Sequence, residues 1–155
     1  MPKHILIPII IILLLTAAVI AAATSHAQSI TGKVTGIADG DTIIALRQHD
    51  RTQHKIRFYG IDSPESHQDF GTRAKQFVSD LVFKKDVRVV QKDKERYGRV
   101  VGIVYPGDTC INEEIIKAGL AWVYRQYCKD VICKDWLKLE QQTKANSLGW
   151  QARSL

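Results

Sequence analysis

Residues 33–46, KVTGIADGDTIIAL, decide the fold that this chain is predicted to adopt. Apolar residues recur at alternate positions from Lys33 to Ile37, a pattern typical of a strand with one buried face. Asp39-Gly40 follows, and this dipeptide favours a tight hairpin turn. Thr42 to Leu46 continues as a second apolar strand. The stretch therefore predicts a β-hairpin with Asp41 just after its turn.

The rest of the chain predicts further strands, one inserted helix and two helices near the end. The strands are expected at 55–61, 87–90 and 100–105, and the helices at 72–83, 112–118 and 136–148. Pro64 disfavours helix at Ser63, Asn112 is expected to cap the second helix, and Gly119 to end it. This order predicts an α+β protein, a five-stranded OB-fold β-barrel with three α-helices.

The N-terminus has the layout of a secretory signal peptide. Ile5 to Ala23 carries no charge, and a single Lys3 precedes it. Small residues at Ser25 and Ala27 occupy the positions that a signal peptidase reads. We therefore expect residues 1–27 to be removed and residues 28–155 to form one domain that is secreted or periplasmic. An uncleaved membrane anchor is the alternative, because a signal core usually runs about 7–15 residues and this one is longer.

Charge and cysteine content agree with export. The chain has 22 basic and 16 acidic residues, a net charge of +6, and loss of Lys3 with the leader lowers it to +5. A basic exported domain suits a nucleic acid, an anionic glycan or a membrane surface, although modest charge also serves solubility. Cys128 and Cys133 are close enough in sequence to predict a disulfide in an oxidising compartment, leaving Cys110 free.

Three carboxylates lie beside predicted turns. Asp41 follows the hairpin turn, and Asp62 and Glu65 flank Pro64 at a strand end. Taken singly, each has an ordinary structural explanation: turn chemistry, an Asx turn or a solvated charge. Together, oxygen ligands on loops suit calcium, which accepts six to eight oxygens in flexible geometry.

Two arginines accompany the carboxylates. Arg57 lies within the apolar run that ends at Ile61, and Arg99 follows Tyr97-Gly98. Either arginine could also be an ordinary surface charge, Arg57 on the exposed face of a strand and Arg99 at the end of a hairpin turn. A guanidinium fork also matches phosphate oxygens bidentately, so phosphate recognition would give both arginines a shared purpose.

These clusters resemble the staphylococcal nuclease (thermonuclease) family. The resemblance is carried by Asp39-Gly40-Asp41-Thr42, by Arg57 with Asp62-Ser63-Pro64-Glu65, and by Tyr97-Gly98-Arg99, in this order. Asn112-Glu113 and Ala118-Gly119-Leu120-Ala121 extend it, so that it runs from about Gly32 to Trp150. It implies a Ca²⁺-dependent endonuclease that hydrolyses DNA and RNA and leaves 3′-phosphate and 5′-hydroxyl ends. It also implies a monomer without an obligate protein partner.

By matching position, the resemblance implies a role for each site residue. Asp41, Asp62 and the backbone carbonyl of Ser63 would hold Ca²⁺. Glu65 would position or deprotonate the attacking water. Arg57 and Arg99 would bind the phosphate and stabilise the transition state.

The nucleotide pocket is expected at Tyr97 and Tyr127, whose rings would offer a face on which a base can stack. The alternative is that these rings only pack in the core or at its rim. Arg125 stands where the family has a further tyrosine, so it would favour phosphate contact over stacking. Ser63 replaces the usual threonine, and the loop after Glu65 is short.

Two alternative functions, neither of them enzymatic, remain besides the nuclease. The same barrel serves non-catalytic nucleic-acid-binding modules, and an intact leader would suit a membrane-anchored interaction module. A binding module has no reason to keep the five catalytic and metal-binding side chains together, so their joint presence favours the nuclease. The sequence alone favours neither DNA nor RNA.

Overall fold

A computed structural model describes residues 29–95, 98–146 and 149. Its centre is a closed barrel of five strands in the spatial order β1-β2-β3-β6-β5. Within the described residues the strands in chain order are β1 (Ser29–Asp39), β2 (Thr42–Arg47), β3 (Gln53–Phe58), β4 (Ile61–Asp62), β5 (Asp86–Lys94), β6 (Val100–Tyr105) and β7 (Trp122–Val123). The helices of this part of the chain are α1 (Gly71–Val82), α2 (Ile111–Lys117) and α3 (Ile132–Ala145). The predicted α+β barrel with three helices is confirmed.

The first hairpin forms as its sequence predicts. Asp39 pairs with Thr42, and Gly40 and Asp41 make the turn between them. A Cβ at Gly40 would lie 2.5 Å from Ser63 Oγ, so glycine is needed there for close packing. Strand β1 is longer than expected because its first residues, from Ser29 to Lys33, pair with β5 and close the barrel.

The predicted single strand over 55–61 is wrong. Strand β3 ends at Phe58, and the chain turns at Gly60, whose φ of +69° lies in the left-handed region that favours glycine. The chain resumes as β4, which pairs with β7 outside the barrel, Ile61 opposite Val123. Because of this turn, Asp62 does not continue the direction of β3, and its side chain can face that of Arg57.

The helices pack against the barrel and against one another. Helix α1 lies on β1 and α2, and α2 packs on β6 and α3. The last helix begins at Ile132, four residues before the predicted start at Trp136, because the polar turn from Asp130 already leads into it. It ends at Ala145; residues 147 and 148 of the predicted span lie outside the described part. None of the helices in that part is long and apolar enough to span a bilayer.

One continuous apolar core fills the barrel and the space under the helices. Its largest fully buried side chains are Trp136, Phe58, Ile43, Ile56, Ile61, Ile111, Ile115 and Ile116. Apolar burial of this kind supplies the main favourable free energy of folding. Polar residues inside it are few and each needs a partner.

Asn112 is one of these polar residues, and its predicted capping role is wrong. Cys110 is the residue before the helix, and Asn112 is fully buried within α2. Its Oδ1 accepts from the Val104 N–H at 3.0 Å, and its Nδ2 donates to the Tyr59 carbonyl at 3.0 Å. The side chain therefore ties α2 to β6 and to the turn after β3.

We expect Asn112→Ala to lower the free energy of unfolding by about 2–4 kcal/mol, because it leaves the buried Val104 N–H and Tyr59 carbonyl without this hydrogen-bond partner. Equilibrium denaturation in urea would measure the loss. Asn146→Ala, at the end of α3, is the matched control and should change stability little. An unchanged free energy of unfolding in Asn112→Ala would contradict the stabilising role of these hydrogen bonds.

Cys128 and Cys133 form a disulfide, the pairing that their spacing predicts, and Cys110 is a free thiol. Burial is the main cause that raises the pKa of the Cys110 thiol above its ordinary value. The bridge closes the turn that leads into α3. Its Cys128 sulfur packs against Gly60, where a Cβ would approach it to 2.5 Å.

We expect the Cys128→Ser/Cys133→Ser variant to lose about 2 kcal/mol of unfolding free energy, the loop-closure entropy of so short a crosslinked segment. Denaturation with and without a thiol reductant would check this. The wild type should lose the same amount on reduction, and the double variant should be insensitive to the reductant. Equal stability of reduced and oxidised wild type would contradict the expectation.

Candidate active site

Arg57 lies between two carboxylates at one end of the barrel. It is paired with Thr42 across β2 and β3, and Asp41 directly precedes Thr42. Arg57 Nη1 donates to Asp41 Oδ1 at 3.1 Å, and Nη2 donates to Asp62 Oδ1 at 2.5 Å. Thus the hairpin, β3 and the small outer sheet each supply one member of this charged group.

Asp41 is buried, with only 3% of its surface exposed. Its Oδ1 also accepts from Thr42 Oγ1 at 2.8 Å, and its Oδ2 accepts from the Ser63 N–H at 3.1 Å. Burial raises the pKa of Asp41 above its ordinary value, although Arg57, Thr42 and Ser63 each act to lower it. The carboxylate is therefore held in a fixed orientation in a poorly solvated place.

Arg57 remains charged in this setting. Burial acts to lower its pKa, but Asp41 and Asp62 outweigh burial and the pKa of Arg57 is raised. Its side chain keeps 20% of its surface exposed, so one side of the guanidinium reaches the cleft described below. A fixed cation at the wall of a cleft can bind an anion.

Glu65 is exposed on the loop between β4 and α1. The loop is held by its backbone: the Glu65 N–H donates to Gln68 Oε1 and the Gln68 N–H donates to the Glu65 carbonyl, both at 2.8 Å. A Cβ at Gly71 would lie 1.8 Å from the Glu65 carbonyl oxygen, so this packing requires glycine. The neighbouring Ser66 hydroxyl donates to Asp39 at 2.7 Å and joins the loop to the hairpin.

Arg99 presents a second guanidinium to the cleft that Arg57 lines. Its Nε donates to Glu95 Oε2 at 2.9 Å, and its Nη2 donates to Oε1 at 2.8 Å. Arg57 and Arg99 line one cleft of about 440 Å³. The polar part of the cleft therefore has two arginines, Arg57 oriented by two carboxylates and Arg99 by Glu95, which lines the cleft together with Asp93.

The other side of the cleft is aromatic. Tyr59, Tyr124 and Tyr127 line it, and Tyr127 is 57% exposed. Tyr127 was predicted from the sequence, whereas Tyr59 and Tyr124 were not; the aromatic pair in Tyr124-Arg-Gln-Tyr127 was the signal available. Tyr97, the other predicted pocket tyrosine, lies outside the described residues.

Arg125 is not among the residues that line this cleft. It lines a neighbouring surface depression with Gln126, Glu140 and Lys144, and Tyr124 lies between the two and lines both. Glu140 there is buried and accepts from Lys144 at 2.7 Å, so this region is already ion-paired. The structure therefore brings Tyr127 beside the arginines and places the side chain of Arg125 elsewhere.

The oxygen donors at the hairpin end suit a hard cation in their chemistry. Asp41 and Asp62 are carboxylates, and the Ser63 hydroxyl is buried without a hydrogen-bond partner among the described residues. That hydroxyl packs towards Gly40, where a Cβ would approach it to 2.5 Å, so the two aspartate carboxylates are the groups that suit a hard cation. Within 29–95, 98–146 and 149, no three His, Cys, Asp or Glu side chains form a group able to hold a metal ion. Glu65 thus does not complete a cluster with the two aspartates.

Comparison with known proteins identifies the family. Residues 55–152, more than half of the chain, match the family described as staphylococcal nuclease homologue. The chain belongs to the staphylococcal nuclease family. The matched segment contains Arg57, Asp62, Glu65 and Arg99, whereas Asp41 precedes it.

Curated relatives support this membership. An uncharacterized endonuclease of Haemophilus influenzae is 40% identical over 119 residues, 77% of this chain and 65% of that protein. The micrococcal nuclease of Shigella flexneri is 39% identical over 127 residues, 76% of this chain and 71% of that protein. An uncharacterized endonuclease of Escherichia coli is 39% identical over 104 residues, 66% of this chain and 67% of that protein. The chain thus spans about two thirds of the length of these relatives.

Proposed function

We propose that this chain is an exported, Ca²⁺-dependent endonuclease that hydrolyses phosphodiester bonds in DNA and RNA. The observation that carries the proposal is the Arg57 guanidinium, fixed between Asp41 and Asp62 and lining one cleft with Arg99. Two oriented guanidinium groups in a cleft with an aromatic side match the two chemical parts of a nucleotide. Relatives named as nucleases support the same conclusion.

The arginines bind the substrate phosphate. Charge on the phosphate oxygens increases as water attacks, and fixed donors stabilise that charge without having to reorganise. Arg57 is already oriented by two carboxylates and Arg99 by one, so both lose little side-chain freedom on binding. Arg99 assists the departing 5′ oxygen, which leaves the phosphate on the 3′ side.

Asp41, Asp62 and the Ser63 carbonyl are the residues that would hold the metal. When bound, Ca²⁺ supplies positive charge that neutralises the phosphate and the developing transition state. Glu65 positions the attacking water or accepts its proton. Its loop is exposed and leaves the carboxylate accessible to solvent water.

Export is part of the proposal. Residues 1–27 have the sequence of a signal peptide, with an uncleaved anchor as the alternative, and they lie outside the described residues. The Cys128–Cys133 disulfide supports an oxidising compartment, either periplasmic or extracellular. The substrates are DNA and RNA, and the enzyme acts as a monomer.

Digestion of single-stranded DNA, duplex DNA and RNA by the purified protein tests the proposal. Each substrate is incubated with Ca²⁺, with Mg²⁺ and with a chelator, and the product ends are identified by labelling. We expect Ca²⁺-dependent internal cleavage that leaves 3′-phosphate ends. Tight binding without cleavage under every condition would make the chain a binding module and overturn the catalytic roles.

A further inference from the structure

The aromatic side of the cleft contains more exposed ring surface than one tyrosine provides. Four large apolar or aromatic side chains are exposed in the described part of the chain: Phe83, Tyr124, Tyr127 and Val131. Two of these, Tyr124 and Tyr127, line the cleft that contains Arg57 and Arg99. Exposed aromatic surface next to fixed cations indicates a ligand that is both anionic and planar.

The two rings form a corner. Their centroids are 4.7 Å apart and their planes meet at 74°. Because the planes are nearly perpendicular, a base stacked on one ring would turn its edge towards the face of the other. Stacked and edge-to-face contacts are both favourable arrangements of π systems, so the corner can contact a base in two ways at once.

Tyr124 is held firmly by the backbone on both sides. It directly follows β7, which pairs with β4, and its N–H donates to the Gly60 carbonyl at 2.9 Å. Its carbonyl accepts from the N–H groups of Tyr127 and Cys128, both at 2.9 Å. The disulfide fixes Cys128 in turn.

The cleft side of this segment is also attached to the barrel end that contains Arg57. The Tyr59 hydroxyl accepts from the N–H groups of Lys129 at 2.9 Å and Asp130 at 3.2 Å. Tyr59 is two residues after Arg57. The backbone that carries the two rings is therefore joined to the barrel end that carries Arg57 before substrate binds, which lowers the entropic cost of binding.

We propose that Tyr124 is a second base-stacking residue, which forms with Tyr127 an aromatic corner that binds the base of a nucleotide whose phosphate lies on Arg57 and Arg99. The inference rests on the proposed nuclease function and deepens it by assigning a base contact that the family pattern does not give. Arg125, which that pattern places at the pocket, lines only the neighbouring depression, whereas Tyr124 lines both that depression and the cleft. Tyr124 takes the position beside Tyr127 instead.

The test compares two substrates that differ only in their bases. One is a single-stranded oligodeoxynucleotide, and the other has the same length with abasic sites around the cleavage site. We expect Tyr124→Leu to raise KM for the normal oligonucleotide about tenfold, within the range that base stacking provides, with kcat within about twofold. On the abasic oligonucleotide the same variant should match the wild type, because no base is present to stack.

Two further variants keep the test decisive. Tyr124→Trp retains a ring and offers a larger face, so its KM for the normal oligonucleotide should equal or fall below that of the wild type. Phe83→Leu removes an exposed aromatic ring away from the cleft and should change KM for neither substrate. Circular dichroism of each variant would establish that the fold is intact.

Unchanged KM in Tyr124→Leu, or an equal rise with both substrates, would overturn the inference while leaving the nuclease assignment intact. If the wild type cleaves nothing, the proposed function fails. The binding affinities of the two fluorescently labelled oligonucleotides then decide the role of Tyr124. A tenfold weaker affinity of Tyr124→Leu for the normal oligonucleotide alone would support it, and equal affinities would overturn it.

Discussion

Arg57→Lys should lower the rate of phosphodiester cleavage by roughly 100- to 1000-fold, the usual loss when one fixed donor to a transition-state oxygen is removed. The reason is geometric, since the positive charge is retained. Nη1 of Arg57 contacts Asp41 while Nη2 contacts Asp62, and the planar fork holds both at once. A lysine ammonium is a point charge on a flexible stem and cannot reproduce that bridge or a bidentate phosphate contact.

The same substitution should cost stability, but much less than it costs activity. Asp41 is buried and would keep Thr42 Oγ1 and the Ser63 N–H as partners. We therefore expect the free energy of unfolding to fall by about 1–3 kcal/mol, the range for a buried polar group that loses one partner. Denaturation curves would show whether the protein remains folded at the assay temperature.

Arg88→Lys is a matched control for this experiment. Arg88 lies on β5, outside the residues that line the cleft, with its guanidinium 4.4 Å from the centre of the Tyr105 ring. The control keeps the same net charge and should retain wild-type cleavage. Near-wild-type turnover of Arg57→Lys at saturating substrate and Ca²⁺ would remove Arg57 from its role in transition-state stabilisation.

Local sequence patterns predicted the parts of the site that depend on short-range structure. Asp39-Gly40 set the turn of the β1–β2 hairpin, and the register of β2 with β3 made Thr42 and Arg57 neighbours. Asp41 then had to lie close to Arg57 because it directly precedes Thr42. Helix α1 could also be predicted from local sequence, because its apolar residues repeat at helical spacing.

Features that depend on distant contacts were not predictable in this way. Gly60 interrupts an apolar run that looks like one strand, and only its φ of +69° shows the turn. The pairing of β4 with β7 joins segments about 60 residues apart, which no local pattern specifies. That pairing positions Tyr124, and so only Tyr127 among the three tyrosines of the cleft was predicted.

Asn112 shows how the same residue type can serve two purposes. Asparagine before an apolar run is a common helix cap, and propensity alone favours that interpretation. In the structure its amide satisfies buried backbone groups of β6 and of the turn after β3. Burial by distant elements outweighed a local capping preference here.

Glu65→Gln should abolish most of the catalytic rate and leave the fold unchanged. General acid–base participation is worth about 10²–10⁴-fold, so a loss of that order in kcat is expected. The glutamine keeps the size and the hydrogen-bonding reach of the side chain but cannot accept the proton of an attacking water. Steady-state rates on single-stranded DNA at saturating Ca²⁺ would measure the loss.

The fold should tolerate this change because the Glu65 loop is held by other groups. Its backbone bonds with Gln68, the close packing against Gly71 and the Ser66 to Asp39 bond all leave the Glu65 side chain out. We expect the free energy of unfolding to change by less than about 0.5 kcal/mol, as for most exposed substitutions. Glu114→Gln on α2 is the control and should keep full activity, since its partner is Lys117 on the same helix.

The dependence of the variant on Ca²⁺ separates two roles for Glu65. Asp41 and Asp62 lie together at Arg57, whereas Glu65 forms no metal-holding group with them in the described part of the chain. A carboxylate acting on water should give Glu65→Gln a low kcat at every Ca²⁺ concentration, with an unchanged midpoint of the Ca²⁺ titration. Recovery of the wild-type rate at high Ca²⁺ would instead make Glu65 a metal ligand, and near-normal turnover throughout would remove it from the mechanism.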